Sequence, residues 1–204
     1  MSNFAFIFAR GGSKGLAGKN IKLIAGKPLI AHSVELALTN DSIDQVFVST
    51  DSVEIANIAK QYGAQVPFIR PKHLATDDAP EWLAWQHAVS FVRENMGDFS
   101  RFISLPTTAP CRSHEDVSGA IEKLEDHIDV VVTATKSHHH PCFNMLKSDE
   151  NGYSKFIDSE VGVSRRQDVA QALNMTTVAY VSRCLLYTSP SPRDQRGSRM
   201  PSSA

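Results

Sequence analysis

Short apolar runs alternate with amphipathic segments over most of the chain. Phe4–Ala9, Gln45–Ser49 and Arg101–Leu105 are brief apolar runs, a pattern that is typical of buried strands. Asp129–Ala134 is rich in β-branched residues and predicts another strand, and Gln65–Ile69 is a further candidate. The chain therefore carries several short strands that a sheet can bury on both faces.

Segments with helical spacing of their apolar residues separate these strands. The segment that Pro28 opens, Val53–Tyr62, Trp82–Arg93 and Asp116–Asp126 all show this spacing. Gly63 supplies a stop signal after the second of them. Strands that alternate with helices predict an α/β fold with a mostly parallel sheet and helices on both faces. In open sheets of this kind, ligands bind beyond the carboxyl ends of the strands.

The pattern loosens over residues 136–168, which predicts a small β-rich excursion from the sheet. Asn151-Gly152 lies between strand-like runs and is a strong hairpin signal. His138–His140 are consecutive, so at most the first and the third could share a metal ion on one face of a strand. No neighbouring cysteine or carboxylate completes a zinc set, which leaves the rim of a polar sugar pocket or a plain loop as interpretations.

Composition and charge restrict the classes of partner. The 204 residues suit one α/β domain of ordinary size. The formal net charge of -1 gives no electrostatic footprint for nucleic acid or an anionic membrane, so we expect neither partner. The three cysteines do not make a disulfide framework. The N-terminus lacks the features of a signal peptide, and no apolar run reaches the roughly 20 residues that span a bilayer, so we expect a cytoplasmic protein.

The stretch Cys184–Ala204 differs from the rest of the chain, because it is rich in Ser, Pro and Arg and has no usable periodicity. Such a composition predicts disorder, since it offers too little apolar surface to offset its ordering entropy. It is interpreted as a natural flexible tail or, in preference, as a non-native read-through scar that resembles translated sequencing-adapter sequence. We therefore predict one domain over residues 1–183, which includes the excursion, and a tail over residues 184–204.

The most informative segment is a loop of glycines and basic residues, Arg10–Asn20, directly after the first predicted strand. Glycines let the backbone approach an anion closely and point successive N–H groups at it. Arg10, Lys14 and Lys19 could then neutralise a triphosphate. The loop is not an ATPase P-loop, because the glycine spacing differs and Asn20 stands where Ser or Thr would bind magnesium.

A series of further motifs follows this loop in a fixed order. They are Gly26–Ile30, Val48–Asp51, Ala56–Ala64, Pro67–Pro71, Leu74–Asp77, Leu105–Arg112 and Arg165–Asp168. Together with Arg10–Asn20 they resemble the acylneuraminate cytidylyltransferases, also called CMP-sialic acid synthetases. The resemblance covers nearly everything up to Arg183, and it implies a fold like that of the nucleotide-diphospho-sugar transferases.

The resemblance implies transfer of CMP from CTP to the anomeric hydroxyl of a sialic-acid-like nonulosonic acid, with release of pyrophosphate. Arg10 and Lys19 would be catalytic, because cations placed at the departing pyrophosphate stabilise the transition state. The nucleotide would be bound by Ser13, Lys14, Asn20, Arg70 and Asp77. For Arg70 a surface arginine is the alternative, and Asp51 is interpreted either as a ligand contact or as the cap of the following helix.

The sugar side of the site departs from the family. The family motif Leu-Gln-Pro-Thr-Ser-Pro-Leu-Arg corresponds to Leu105–Arg112, where Pro106 replaces a glutamine that would touch the sugar. Thr107 and Thr108 could supply hydroxyls instead, and a simple turn is the alternative. The resemblance also implies a homodimer formed through the β-rich excursion. By the same resemblance, the sugar carboxylate would be bound by Arg165, Arg166 and Gln167.

A second departure concerns metal. Family members continue beyond the position of Arg183 with an Asp-x-Asp pair that binds Mg²⁺, and this sequence lacks the pair, since the stretch after Arg183 holds Asp194 alone. Mg²⁺ is therefore an expected cofactor without its protein ligands. The alternatives to this enzyme are a truncated nucleotide-binding fragment without turnover, a cytidylyltransferase for another acidic keto sugar, and a regulatory module on the same fold.

Overall fold

Strands and helices alternate through most of the computed structural model, which describes residues 2–13, 15–158, 165 and 169–184. Its strands are β1 (Asn3–Phe8), β2 (Leu23–Ile24), β3 (Lys27–Pro28), β4 (Gln45–Ser49), β5 (Arg101–Ser104), β6 (Val130–Lys136), β7 (Leu146–Ser148), β8 (Ser154–Phe156) and β9 (Leu173–Arg183). Its helices are α1 (Leu29–Leu38), α2 (Val53–Gln61), α3 (Glu81–Met96) and α4 (His114–Glu122). Short 3₁₀ turns cover Lys19–Ile21 and Lys72–Leu74.

The central sheet is mostly parallel. Its five strands lie in the order β4-β1-β5-β9-β6. β1 runs parallel to both of its neighbours, with Phe8 opposite Ser49 of β4 and Phe6 opposite Ser104 of β5. β9 runs antiparallel to β5. Because β4, β1 and β5 point the same way, their carboxyl ends meet at one edge, and the predicted mostly parallel sheet is confirmed.

Helices cover both faces of this sheet because its strands are apolar on both sides. The side chains of β1 alternate between two cores. Ala5 and Ile7 belong to an aliphatic core that includes residues of α1, α2 and α4. Phe4 and Phe6 belong to an aromatic core that includes residues of α3. The predicted arrangement of helices on both faces is therefore confirmed.

Hydroxyl side chains set where two of the helices begin. Ser52 caps α2, since its Oγ accepts a hydrogen bond from the backbone N–H of Ile55 at 3.3 Å. Ser113 and Asp116 form a reciprocal capping box at the start of α4. Asp51 is therefore not the cap of α2, although that was one interpretation of the sequence. α4 begins two residues before its predicted start because Ser113 caps it there.

The segment Gln65–Ile69 is not a strand, contrary to the prediction. Gln65 makes a single parallel bridge with Phe47, and the pairing goes no further. Pro67 has no N–H to donate to a ladder, which explains the early end. Conversely, the apolar pattern did not predict β9, because the first half of this strand mixes polar residues with exposed apolar ones.

α3 extends beyond its predicted range to Met96, and Gly97, whose φ is 112°, follows as the C-cap residue. Ala88, Val89 and Val92 are buried on this helix and pack against the aromatic core. Within the part of the chain that the structure describes, no helix combines the length and the apolar character needed to cross a membrane.

The residues fall into two compact units. One unit extends to Val132 and resumes at Thr177, and the other is Thr133–Thr176. In the second unit β7 and β8 form an antiparallel hairpin. Asp149 orders its turn by accepting hydrogen bonds from two backbone N–H groups, and Gly152 has a φ of 84° there. The hairpin predicted from Asn151-Gly152 is confirmed.

Cys184 belongs to the core rather than to the tail in which the sequence prediction placed it. Its side chain is buried in the aromatic core, and its N–H donates to the carbonyl of Ser100 at 3.0 Å. Burial raises the pKa of the thiol to about 11, so the group stays neutral at ordinary pH. The rest of the predicted tail, residues 185–204, lies outside the described residues.

The aromatic core gives a prediction about stability. We expect Phe6→Ala to lower the free energy of unfolding by about 3–5 kcal/mol, because Phe6 is 1% exposed and its ring packs against Phe47 and Phe102. Urea denaturation measures the change. Tyr153→Ala is the control, since this aromatic side chain is 77% exposed and should lose less than about 1 kcal/mol. Equal losses in the two variants would contradict this account of the core.

Candidate functional site

A cleft of about 560 Å³ opens beyond the carboxyl ends of β1 and β5. This volume is ordinary for a small-molecule site. Eight of the side chains predicted from the sequence line it, namely Arg10, Ser13, Lys19, Asn20, Arg70, Asp77, Thr107 and Thr108. The structure therefore brings together in one place residues that the sequence spreads over about a hundred positions.

The glycine-rich loop is held against the end of β4. The N–H of Gly11 donates to Asp51 Oδ1 at 2.9 Å, which gives Asp51 a structural role in the loop. A Cβ on Gly11 would lie 3.2 Å from the Cβ of Ser52, so the close approach favours glycine at this position. Gly18 has a φ of 62° and leads into the 3₁₀ turn that begins with Lys19.

Positive side chains dominate the cleft although the whole chain is nearly neutral. Arg10, Lys19 and Arg70 line it, against Asp77 and Glu81 as the acidic residues among its described lining. Arg10 reaches the loop that follows the second 3₁₀ turn, where it forms an ion pair with Asp77 Oδ1 at 2.8 Å and donates to the carbonyl of Thr76 at 3.2 Å. About a third of the Arg10 side chain remains exposed, so an anionic ligand can reach it.

Arg70 is buried, which rules out the surface arginine that was the alternative interpretation. Its Nε donates to Ser49 Oγ at 3.0 Å, and its Nη2 donates to the carbonyl of the same residue. Its Cζ lies 5.6 Å from the centre of the Phe8 ring. The backbone N–H of Arg70 also donates to the carbonyl of Thr50 at 2.7 Å. These contacts fix a guanidinium group in the wall of the cleft.

Burial has an electrostatic consequence at Arg70. Desolvation lowers the pKa of its guanidinium, and the positive charge of Arg10 lowers it further. The negative charges of Asp51 and Glu81 act in the opposite direction. Because an arginine pKa starts far above neutrality, the side chain keeps its charge. A buried cation of this kind is stabilised by an anion that enters the cleft.

Asn20 and Thr107 join the two loops that form the floor of the cleft. The Nδ2 of Asn20 donates to the carbonyl of Arg10 at 2.9 Å. Its Oδ1 accepts a hydrogen bond from Thr107 Oγ1 at 2.8 Å. Both side chains are 4% exposed.

The turn after β5 is more than a simple turn. Arg112 is buried behind it and donates from Nε to the carbonyl of Ala109 at 3.0 Å and from Nη2 to the carbonyl of Pro106. Desolvation lowers the pKa of Arg112 to about 10, so it still carries its charge at neutral pH. Thr108 Oγ1 donates to Thr177 Oγ1 at 3.1 Å. The turn is therefore shaped by side-chain contacts that hold its residues at the cleft.

Some lining residues were missed by the sequence analysis. Thr177 and Tyr180 reach the cleft from β9, a strand that the pattern did not predict. Phe8 and Glu81 also line it. Phe8 could have been predicted from its position at the end of β1 and Glu81 from its position at the start of α3. In sheets of this kind, ligands bind near the carboxyl ends of the strands.

The other predicted residues are not among the described residues that line this cleft. Lys14, Arg166 and Gln167 lie outside the described residues. Arg165 is described and exposed, and it is not part of the lining. The roles predicted for these four residues stay predictions.

The histidine run lies in the second unit, beside a cavity of about 470 Å³. His140 is held at both ring nitrogens, since Nδ1 accepts from the N–H of Cys142 at 3.2 Å and Nε2 contacts the carbonyl of Ala170 at 3.2 Å. Among residues 2–13, 15–158, 165 and 169–184, no group of three or more His, Cys, Asp or Glu side chains could hold a metal ion.

Comparison with known proteins identifies the family of this chain and agrees with its fold. The family model described as Cytidylyltransferase matches residues 4–184. The chain is 34% identical over 172 residues to the pseudaminic acid cytidylyltransferase of Campylobacter jejuni, covering 84% of this chain and 74% of that protein. It is 32% identical over 169 residues to the N-acylneuraminate cytidylyltransferase of Escherichia coli. That alignment covers 82% of this chain and 39% of that protein.

The fold is shared with a solved structure of CMP:2-keto-3-deoxy-manno-octonic acid synthetase complexed with CTP. The two align with a TM-score of 0.69 at 20% sequence identity, over 98% of this chain and 80% of that one. The family model spans most of the chain and agrees with the resemblance seen in the motifs. The chain therefore belongs to the cytidylyltransferase family.

Proposed function

We propose that this protein transfers CMP from CTP to the anomeric hydroxyl of a sialic-acid-like nonulosonic acid and releases pyrophosphate. The observation that carries the proposal is the convergence of Arg10, Lys19 and Arg70 with a glycine-rich loop in one cleft. The names of the curated relatives support the substrate class, since they act on pseudaminic acid and N-acylneuraminate.

The triphosphate of CTP suits the side of the cleft that the glycine-rich loop forms. Arg10 and Lys19 line this side, and Ser13 adds a hydroxyl. Lys14, by its place in the loop, would add a further cation. Arg10 would exchange part of its contact with Asp77 for phosphate oxygens, since phosphate accepts strong charge-assisted hydrogen bonds.

The reaction is an in-line displacement at the α-phosphorus. The anomeric oxygen of the sugar forms the new bond to phosphorus, the bond from phosphorus to the bridging oxygen of the pyrophosphate breaks, and the hydroxyl proton passes to solvent. Negative charge grows on the departing pyrophosphate. Lys19 and Arg10 would stabilise this charge more strongly in the transition state than in bound CTP, which is the requirement for catalysis.

The sugar would occupy the side of the cleft that the turn after β5 forms. Thr108 and Thr177 line this side with hydroxyl groups, and Tyr180 lines it as well. Pro106 stands where the family motif has glutamine, so hydroxyl contacts would replace one amide contact. We propose that Arg165, Arg166 and Gln167 bind the carboxylate of the sugar, because guanidinium groups bind carboxylates in a bidentate manner.

Magnesium does not have a protein-built site among the described residues. Asp77 and Glu81 are the carboxylates in the described lining of the cleft, and Asp77 is paired with Arg10. The donor set therefore does not fit a resident Mg²⁺ ion held by the protein. We propose instead that Mg²⁺ enters with the triphosphate, as part of the nucleotide substrate.

Two alternatives share the same cleft. The protein could bind the nucleotide without turnover, or it could act on another acidic keto sugar, as the fold neighbour named for an octonic acid suggests. A pyrophosphate-release assay with CTP, Mg²⁺ and a panel of N-acetylneuraminic, legionaminic, pseudaminic and octonic acids separates these possibilities. Release with a nine-carbon acid supports the proposal, whereas nucleotide binding without release from any sugar would favour a binding function. Competition among CTP, UTP, ATP and GTP identifies the nucleotide.

We also propose a cytoplasmic homodimer. Several large apolar side chains of the second unit are exposed, and on the β7–β8 hairpin Leu146 and Phe156 stand directly opposite each other. A second copy of the chain could cover such a surface. Among the described residues of this unit, the exposed large apolar side chains are Met145, Leu146, Tyr153, Phe156, Ile157, Leu173 and Met175.

Lys19 provides a test of the phosphate side of the cleft. We expect Lys19→Ala to lower kcat/KM for CTP by about 10²–10³, because it removes one cation from the departing pyrophosphate. Lys22→Ala is the matched control, since Lys22 is exposed and lies outside the lining. Steady-state pyrophosphate release measures both variants. If Lys19→Ala kept the activity of the unmodified protein, the assignment of the triphosphate to this loop would be wrong.

The hairpin provides a test of the dimer. We expect Leu146→Glu to shift the protein toward the monomer, because a charge placed in an apolar interface must lose its hydration. Leu23→Glu is the control, since Leu23 is similarly exposed, at 67% against 59% for Leu146, but belongs to the first unit. Sedimentation equilibrium measures the association. A monomeric unmodified protein, or a Leu146→Glu variant that still dimerises, would contradict the proposed interface.

A further inference from the structure

We propose that Thr107 is a positioning residue that holds the Asn20 amide in the orientation required by the carbonyl of Arg10 and so prepares the cleft for CTP. The inference rests on the proposed function, because it assigns a role within the same nucleotide site. It goes beyond that function in naming a residue that acts through another residue rather than by touching the nucleotide.

The geometry forms a short chain of hydrogen bonds across two strand ends. Thr107 follows β5, and its hydroxyl donates to Asn20 Oδ1 at 2.8 Å. Asn20 lies in the 3₁₀ turn at the end of the glycine-rich loop, and its Nδ2 donates to the carbonyl of Arg10 at 2.9 Å. Arg10 follows β1, which lies beside β5 in the sheet. The chain therefore ties the start and the end of the phosphate loop to the neighbouring strand.

These partners leave the Asn20 amide one orientation. A backbone carbonyl can only accept a hydrogen bond, so the carbonyl of Arg10 requires the NH₂ group of Asn20. The carbonyl end of the amide must then face the hydroxyl of Thr107, which serves as the donor. An amide has two N–H donors and two lone pairs, and one of each is used here. The remaining donor and acceptor are held in a known arrangement in a residue that lines the cleft.

Burial makes this hydrogen bond costly to lose. Asn20 and Thr107 are each 4% exposed, so water has little access to replace a missing partner. Without the hydroxyl, the carbonyl end of Asn20 would be left buried and unsatisfied or would rotate toward the cleft. Either outcome disturbs the residue that holds the loop around the triphosphate.

The experiment measures the Kd for CTP by isothermal titration calorimetry, well below the melting temperature of each variant. We expect Thr107→Val, which replaces the hydroxyl with a methyl group, to bind CTP about tenfold more weakly. Thr107→Ser keeps the donor and should restore the affinity to within about twofold of the unmodified protein. Thr39→Val is the control for loss of a threonine hydroxyl outside the cleft, because exposed Thr39 bonds the carbonyl of Glu35 and contacts His114 Nε2. Its affinity for CTP should not change.

A double-mutant cycle shows whether Thr107 acts through Asn20. In an Asn20→Ala background, Thr107→Val should have no further effect on the Kd, because the group that it positions is gone. A further tenfold loss in that background would mean that Thr107 contacts the nucleotide itself, and the proposal would be overturned. An unchanged Kd in Thr107→Val alone would overturn it as well. If Thr107→Val does not fold, Thr107→Ala removes the same hydroxyl and is judged by the same criteria.

The failure of this inference and the failure of the proposed function give different results. If the unmodified protein does not bind CTP, the proposed function fails, and the inference fails with it. If the unmodified protein binds CTP and the hydroxyl-free variants bind it equally well, only the role of Thr107 is wrong. A lower melting temperature with an unchanged Kd would indicate a purely structural residue and would also contradict the inference.

Discussion

The parallel alignment of β4, β1 and β5 is the constraint on which the rest of the site depends. Three strands that point the same way deliver their following loops to one edge of the sheet. The loop after β1 contains the glycines and Arg10, and the turn after β5 contains Thr107. At the end of β4, the carbonyl of Ser49 accepts a hydrogen bond from Arg70. This alignment is stable because both faces of β1 are buried, one in aliphatic and one in aromatic contacts. A reversal of any of these strands would carry its loop to the opposite edge.

Local charge, rather than net charge, gives the cleft its chemistry. The chain as a whole has a formal charge of -1, yet three cations line one small volume. Fixed cations in the cleft act on a phosphate at short range, where screening by salt is weakest. The ion pair between Arg10 and Asp77 moderates this charge in the ligand-free protein. It also provides a partner that a phosphate group can displace.

Buried polar links give the cleft its rigidity. Asn20, Arg70 and Arg112 are all nearly inaccessible, and each donates at least one hydrogen bond to a backbone carbonyl near the cleft. Such groups are costly to bury, but their cost is offset when partners are present in good geometry. The result is a set of loops without regular secondary structure that still hold a defined shape. A site for charged substrates needs this preorganisation, because solvent reorganisation would otherwise oppose catalysis.

The sequence by itself determined the α/β class, the approximate positions of β1, β4, β5 and the helices, and the presence of a glycine-rich basic loop over Arg10–Asn20. These features depend on local periodicity and on glycine and charge within a few residues. Only the tertiary structure decided which side chains meet. Thr107 and Asn20 are 87 positions apart, and Thr177 and Tyr180 enter the cleft from a strand whose mixed and exposed first half gave no strand signal. The physical reason is that such contacts follow from strand order and register, which are properties of the packed sheet and not of any single segment.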